Sequence, residues 1–114
     1  MNEDKMYHIG LSKSDIKGAK FAILPGDPGR VEKIAAALDE AEMIGTKREH
    51  TSHLRKISGQ NVLVISTGMG WPSTAICVEE LAQIGITHLI RVGTSGGMQL
   101  NVNAGDIVIA SSAI

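Results

Sequence analysis

The chain has 114 residues, of which 43% are hydrophobic and 3% aromatic, and its formal net charge is −1. A near-neutral chain with so few aromatic side chains does not indicate a nucleic-acid surface. No apolar run approaches the roughly 20 residues that cross a bilayer, and the charged start, MNEDKMYHIG, lacks the apolar core of a secretory signal. We therefore expect a cytoplasmic α/β protein without nucleic-acid or membrane partners, in which the single cysteine, Cys77, is a buried small side chain.

Apolar runs that predict strands alternate along the chain with segments of helical period. The predicted strands are 20–24, 62–67, 87–93 and 106–111, and the predicted helices are 28–38 and 73–85, the second closed by Gly85. Between them, 42–57 is either two strands or one long bent strand, and 58–61 is a turn. This alternation predicts a three-layer αβα fold, with a mixed, largely parallel sheet covered by helices on both faces.

The last predicted strand lies in GDIVIASSAI and has no polar tail or stop signal after it. Domains usually end on a segment that can remain in water. We therefore expect the fold of this chain to be incomplete.

The stretch FAILPGDPGR predicts a strand, a tight turn and a helix start. Asp27 is placed to cap the helix, and Pro28 suits its first position, where no N–H is required. Such a helix start presents unpaired N–H groups to an anion. Arg30 is a cation in the first turn, which the helix dipole disfavours, so its position indicates that an anion binds there.

Three glycine-bearing loops, 25–30, 67–73 and 92–97, each follow an apolar strand. In a parallel sheet these loops meet at one edge, where ligands bind. The alternative is that the glycines only form tight turns. A dinucleotide fingerprint is not met, because Ser73 stands where the third glycine is needed and no acidic residue follows at the required distance, and no P-loop sequence occurs.

Arg91 is unusual because it lies in an apolar strand that we expect to be buried. A buried arginine requires an anionic partner. That partner is either a structural carboxylate, Glu79 or Glu80, or the same ligand anion that Arg30 meets. Guanidinium groups bind phosphate in bidentate fashion, and Thr94 adds a hydroxyl and a backbone N–H nearby.

The histidines give weaker signals. His50 and His53 have a spacing that metal sites also use, but no cysteine or third histidine supports zinc. His8 lies in a segment without a predicted element, where a surface position is expected, and His88 is expected to be structural.

The blocks ILPGDPGRVEKIA, TGMGWPSTAICVEELAQIG and IRVGTSGGMQLNVNAGDIV together resemble the bacterial nucleoside phosphorylase family, most closely its members that act on uridine. The resemblance covers nearly the whole chain but only the N-terminal half of a family member. It implies that 1–114 is the N-terminal part of a single α/β domain. It also implies phosphorolysis of uridine, in which uridine and inorganic phosphate give uracil and ribose 1-phosphate.

The resemblance assigns residues to this reaction and requires no cofactor. Phosphate is expected to bind at Gly26 (through its backbone), Arg30, Arg91 and Thr94, with Arg48 reaching the phosphate site of a neighbouring subunit. The nucleoside is expected to contact Thr94, and His8 is expected to cross the interface to the ribose 5′-hydroxyl. Family members are dimer-based, usually hexamers, and a potassium ion at the dimer interface would match Glu49, the Met69 carbonyl and Ser73.

Two alternatives stay open: a purine nucleoside phosphorylase, and a truncated, non-catalytic fragment. Trp71 stands where relatives usually have a small residue, so it either alters the rim of the site or packs on a partner. The family's base-recognition residues and its ribose-gripping segment have no counterpart in this chain. The group that protonates the departing base is likewise unassigned.

Overall fold

The computed structural model describes residues 4–37, 39–47 and 49–113. Within these residues the chain forms five strands and two helices, which are numbered in chain order. They are β1 (Phe21–Leu24), α1 (Pro28–Ala36), β2 (Asp39–Lys47), β3 (His50–Ile57), β4 (Gln60–Ile65), α2 (Gly70–Gln83) and β5 (His88–Arg91). None of the helices in these ranges is long and apolar enough to cross a membrane.

The strands form one sheet in the order β2-β3-β4-β1-β5. β1 pairs in parallel with β4 on one side and with β5 on the other. β3 pairs in antiparallel fashion with both β2 and β4. Four of the five strands therefore run in the same direction, which confirms the prediction of a mixed, largely parallel sheet.

The helix α1 begins as the sequence predicts. Asp27 is extended, and its side chain accepts a hydrogen bond of 2.9 Å from the backbone N–H of Gly29. Pro28 opens the first turn. On the inner side of the helix Val31 and Ala35 are fully buried.

The two helices cover opposite faces of the sheet. Leu63 and Ile65 of β4 belong to the same buried cluster as Cys77 and Leu81 of α2. Side chains alternate along a strand, so the buried residues 62 and 64 point to the other face, where α1 packs against β3 and β4. The three-layer prediction and the predicted burial of Cys77 are confirmed.

The segment 42–57 proves to be two strands, with β2 beginning before residue 42. The predicted turn at 58–61 links β3 to β4 as a tight hairpin. Ser58 and Gly59 both have positive φ, 51° and 79°, as two-residue hairpin turns of type I′ require.

The N-terminal segment, 4–19, contributes to the core although no element was predicted there. Ile9, Leu11, Ile16 and Ala19 are at most 1% exposed and join the cluster of α2. The segment is anchored by Glu80, whose carboxylate accepts hydrogen bonds from the backbone N–H groups of His8 and Ile9, both at 2.9 Å. Its turns, rather than a regular helix or strand, explain why periodicity did not reveal it.

Two predicted elements need correction. The helix α2 begins at Gly70 rather than at residue 73, because Pro72 fits the first turn of a helix, where no N–H is needed from it. The predicted strand at 106–111 is wrong: this stretch forms no ladder, and Ile107 and Ile109 are 89% and 88% exposed. A strand requires a paired neighbour and a covering layer, and no described residue supplies either of them to this stretch.

Candidate functional site

The three glycine-bearing loops meet at one edge of the sheet, as predicted, because β1, β4 and β5 are parallel. They enclose an open cleft of about 940 Å³. Seven residues singled out in the sequence line this cleft: Gly26, Arg30, Glu49, Met69, Ser73, Arg91 and Thr94. The cleft therefore joins the residues expected at phosphate to those expected at potassium.

Backbone hydrogen bonds tie the first two loops together beyond the strand ends. The N–H of Thr67 donates to the carbonyl of Pro25, and the N–H of Gly68 donates to the carbonyl of Gly26, both at 2.9 Å. These bonds continue the parallel ladder of β1 and β4 into the loops. The floor of the cleft is consequently built from hydrogen-bonded backbone.

Arg91 projects from the end of β5 into the cleft. Its Nη1 donates hydrogen bonds to the carbonyls of Leu24, at 3.0 Å, and Val92, at 3.4 Å. The expected burial of Arg91 is wrong, because every residue of β5 is exposed and no layer covers this edge strand among the described residues. No carboxylate pairs with Arg91 in the described part of the chain, and Glu80 is instead bonded to the N-terminal segment.

Arg30 reaches the same cleft from the first turn of α1 and is half-buried. The nearby carboxylate of Asp27 is already engaged as the helix cap. Within the described residues, Arg30 has no ion-pair partner either. Two guanidinium groups without carboxylate partners therefore share one cleft, together with the start of a helix.

The opposite side of the cleft carries oxygen atoms and a negative charge. The Ser73 hydroxyl lies 2.9 Å from Oε1 of Glu49 and also within hydrogen-bonding distance of the Thr67 carbonyl. The buried His50 bonds through Nδ1 to the Ser66 carbonyl at 2.8 Å, and its Nε2 lies 3.7 Å from Glu49 Oε1. Glu49 and Ser73 are therefore close enough to bind one ligand together.

Gly68 makes the close approach of Glu49 and Ser73 possible, a role that was not predicted for it from the sequence. It has a φ of 78°, and a Cβ built on it would lie 2.5 Å from Cγ of Glu49 and 2.9 Å from Oγ of Ser73. Any side chain at this position would displace the carboxylate. The only signal in the sequence was the glycine-rich pattern of the loop.

One predicted site residue, His8, is not among the residues that line the cleft. His8 lies in a turn of the N-terminal segment, where its Nδ1 is 2.7 Å from Glu80 Oε1 and its side chain is 35% exposed. It is therefore held in place by Glu80 rather than free on the surface. Arg48 lies outside the described residues.

His50 and His53 do not act together. His53 is buried, with both ring nitrogens lacking hydrogen-bond partners, whereas His50 faces Ser66 and Glu49. Burial, with a smaller effect from the charge of Arg55, lowers the pKa of His53. No cluster of three or more potential His, Cys, Asp or Glu metal ligands occurs among the residues that the structure describes.

Comparison with known proteins identifies the family. The model of the phosphorylase superfamily matches residues 20–114. The uridine phosphorylase of Salmonella typhimurium is 46% identical over 114 residues, which are 100% of this chain and 45% of that protein. The uridine phosphorylase of Haemophilus influenzae is 50% identical over 109 residues, 96% of this chain and 43% of that protein.

A guanosine phosphorylase of Halorubrum lacusprofundi is also similar, with 38% identity over 109 residues, which are 96% of this chain and 44% of that protein. The chain thus spans less than half the length of these curated relatives. The matched family agrees with the resemblance carried by the three sequence blocks and with the mixed α/β sheet. The chain belongs to the phosphorylase superfamily.

Proposed function

We propose that this chain supplies the phosphate-binding part of a uridine phosphorylase, which converts uridine and inorganic phosphate to uracil and ribose 1-phosphate. The relatives named uridine phosphorylase, at 45–50% identity, support the substrate. The observation that carries the proposal is the convergence of Arg30 and Arg91, both without carboxylate partners among the described residues, on one cleft. The proposal includes a cytoplasmic location for the reaction.

The chemistry requires little beyond a well-placed anion. An oxygen of phosphate forms a bond to C1′ as the bond from C1′ to the base breaks, and the base leaves with that electron pair. Positive charge develops on the sugar during this step, and the adjacent phosphate stabilises it. The protein contributes by orienting phosphate and holding its charge near C1′.

Each phosphate ligand has a defined part in this proposal. The guanidinium groups of Arg30 and Arg91 bind phosphate oxygens in bidentate fashion. The backbone of Gly26 and the hydroxyl of Thr94 complete the site, and Thr94 also contacts the nucleoside. Charge-assisted hydrogen bonds contribute roughly 1.5–3 kcal/mol each, which is sufficient for millimolar phosphate binding at about −4 kcal/mol.

The remaining parts of the proposal concern the oligomer and a bound potassium ion. We propose a dimer-based oligomer, a hexamer by analogy with the family, in which Arg48 and His8 act across subunit interfaces. Glu49, the carbonyl of Met69 and Ser73 would bind potassium. The close approach of Glu49 Oε1 and Ser73 Oγ supports this, because oxygen ligands suit hard cations. Sedimentation of the natural-length protein measures the size of the oligomer, and a comparison of potassium chloride with choline chloride shows whether assembly depends on potassium.

The test of function uses the protein that contains this chain, at its natural length. We expect uracil release from uridine only when phosphate is present, and Arg30→Ala or Arg91→Ala should raise the KM for phosphate at least tenfold. Lys33→Ala is the matched control, because it removes one exposed positive charge from the same helix as Arg30. Unchanged kinetics in both arginine variants would contradict the phosphate site.

The same assay separates the alternative functions. A purine nucleoside phosphorylase would cleave inosine in preference to uridine. A non-catalytic fragment would cleave neither nucleoside at natural length. Either result would replace the proposed substrate or activity.

A further inference from the structure

Gly26 and the guanidinium of Arg91 approach each other closely at the floor of the cleft. A Cβ built on Gly26 would lie 3.1 Å from Nη2 of Arg91 and 3.5 Å from the carbonyl oxygen of Gly68. From this geometry we propose that Gly26 is a positioning residue, whose missing side chain lets Arg91 hold its guanidinium in the phosphate-binding orientation. This inference rests on the proposed phosphate site and adds a role separate from the backbone of Gly26.

The Nη1 group of the Arg91 guanidinium is held in place by a hydrogen bond. Nη1 of Arg91 donates to the Leu24 carbonyl at 3.0 Å, at the end of the neighbouring strand β1. This bond leaves Nη2 as the group that lies against Gly26. A methyl group at residue 26 must push Nη2 away, and because the guanidinium is planar and rigid, its whole fork turns with it.

The steric conflict affects the site more than the fold. The contacting atom is the far end of a flexible side chain, which moves at little cost to stability. Gly26 is not among the glycines with positive φ, so alanine fits its backbone. Alanine also keeps the backbone N–H, so Gly26→Ala tests the space occupied by Arg91 without removing the backbone donor.

Gly93 provides a matched control on the same guanidinium. A Cβ there would lie 3.6 Å from Nη1 of Arg91, an ordinary contact distance. Gly93 also lacks a positive φ. Gly93→Ala therefore makes the same chemical change beside the same arginine without the steric conflict.

The experiment is a titration of the natural-length protein with inorganic phosphate, followed by calorimetry, for the wild type and both glycine variants. We expect Gly26→Ala to weaken phosphate binding about tenfold, the equivalent of about 1.4 kcal/mol, and Gly93→Ala to change it less than about twofold. Thermal unfolding should be nearly the same for both variants. An equal effect of the two substitutions on phosphate affinity would overturn the inference.

A double-variant cycle links the effect to Arg91. In an Arg91→Ala background, Gly26→Ala should cause no further loss of phosphate affinity, and a full additional tenfold loss would overturn the inference. Should Gly26→Ala fail to fold, adding Arg91→Ala must restore folding, and failure to do so would equally overturn it. A wild-type protein of natural length that binds no phosphate would instead refute the proposed function, which keeps the two failures distinct.

Discussion

Replacing Glu80 with alanine should detach the N-terminal segment from α2. Glu80 is 8% exposed, and its carboxylate accepts hydrogen bonds from the backbone N–H groups of His8 and Ile9 and from the His8 ring, at 2.9, 2.9 and 2.7 Å. Hydrogen bonds to a charged group contribute roughly 1.5–3 kcal/mol each. The segment can regain hydration after it detaches, so we expect a net loss of about 3 kcal/mol.

Urea unfolding at neutral pH measures this loss, and hydrogen exchange at the amides of His8 and Ile9 shows where it occurs. Glu79 supplies the control, because it is the exposed neighbour on the same helix. We expect Glu79→Ala to change the free energy of unfolding by less than about 0.5 kcal/mol. Equal losses in the two variants, or unchanged exchange at residues 8 and 9, would refute the anchoring role of Glu80.

The pH dependence of stability gives a second readout with a defined sign. Burial raises the pKa of Glu80, but the hydrogen bonds from Ile9 and His8 outweigh it and hold the net pKa below its ordinary value. The anchor therefore contributes fully above the ordinary pKa of a glutamate and is lost as the pH falls through the lowered value. Glu80→Gln should reduce the loss of stability on acidification, compared with the wild type.

Three further predictions concern single positions. Gly68→Ala should lower the free energy of unfolding by about 3 kcal/mol, because it combines backbone strain with a clash against Glu49. Gly59→Ala is the control: Gly59 has a φ of 79° and open space around it, so the substitution should cost about 1 kcal/mol through strain alone. Equal losses of the two variants in urea unfolding would contradict the clash. Asp27→Ala should cost about 1 kcal/mol through the lost helix cap, measured in the same way, and no change would contradict the cap. Burial, with the charges of Glu80 and Glu49, raises the pKa of the Cys77 thiol to about 12. A thiol reagent should therefore label Cys77 only after unfolding, and rapid labelling of the folded chain would contradict its burial.

The sequence was most informative where local chemistry decides the structure. The turn at 25–30 requires a sharp break and a helix cap, and both Asp27 and Pro28 take the predicted positions. Parallel strands bring their following loops to one edge, so the meeting of Arg30 and Arg91 in one cleft followed from topology alone. The first prediction depends on short-range rules, and the second on the alternation of strands and helices, which predicts a parallel sheet.

Prediction failed where distant contacts decide the structure. The residues 106–111 have the composition of a strand, but they have no paired neighbour among the described residues, so composition did not produce a ladder. The sequence offers Glu80 as one possible partner of Arg91, but Glu80 instead anchors a segment about 70 positions away in the chain. The close approach of Gly68 to Glu49 likewise joins two loops whose separation in space no local pattern encodes.

Direct phosphate binding by Arg30→Ala, Arg91→Ala and the double variant is the most decisive measurement, because the central claim is that both guanidinium groups hold one anion. Calorimetric titration should give millimolar affinity for the wild type, with a loss of about tenfold or more for each single variant. Because the two arginines share one anion, the double variant should show no measurable binding. Phosphate affinity that persists unchanged in the double variant would contradict the account.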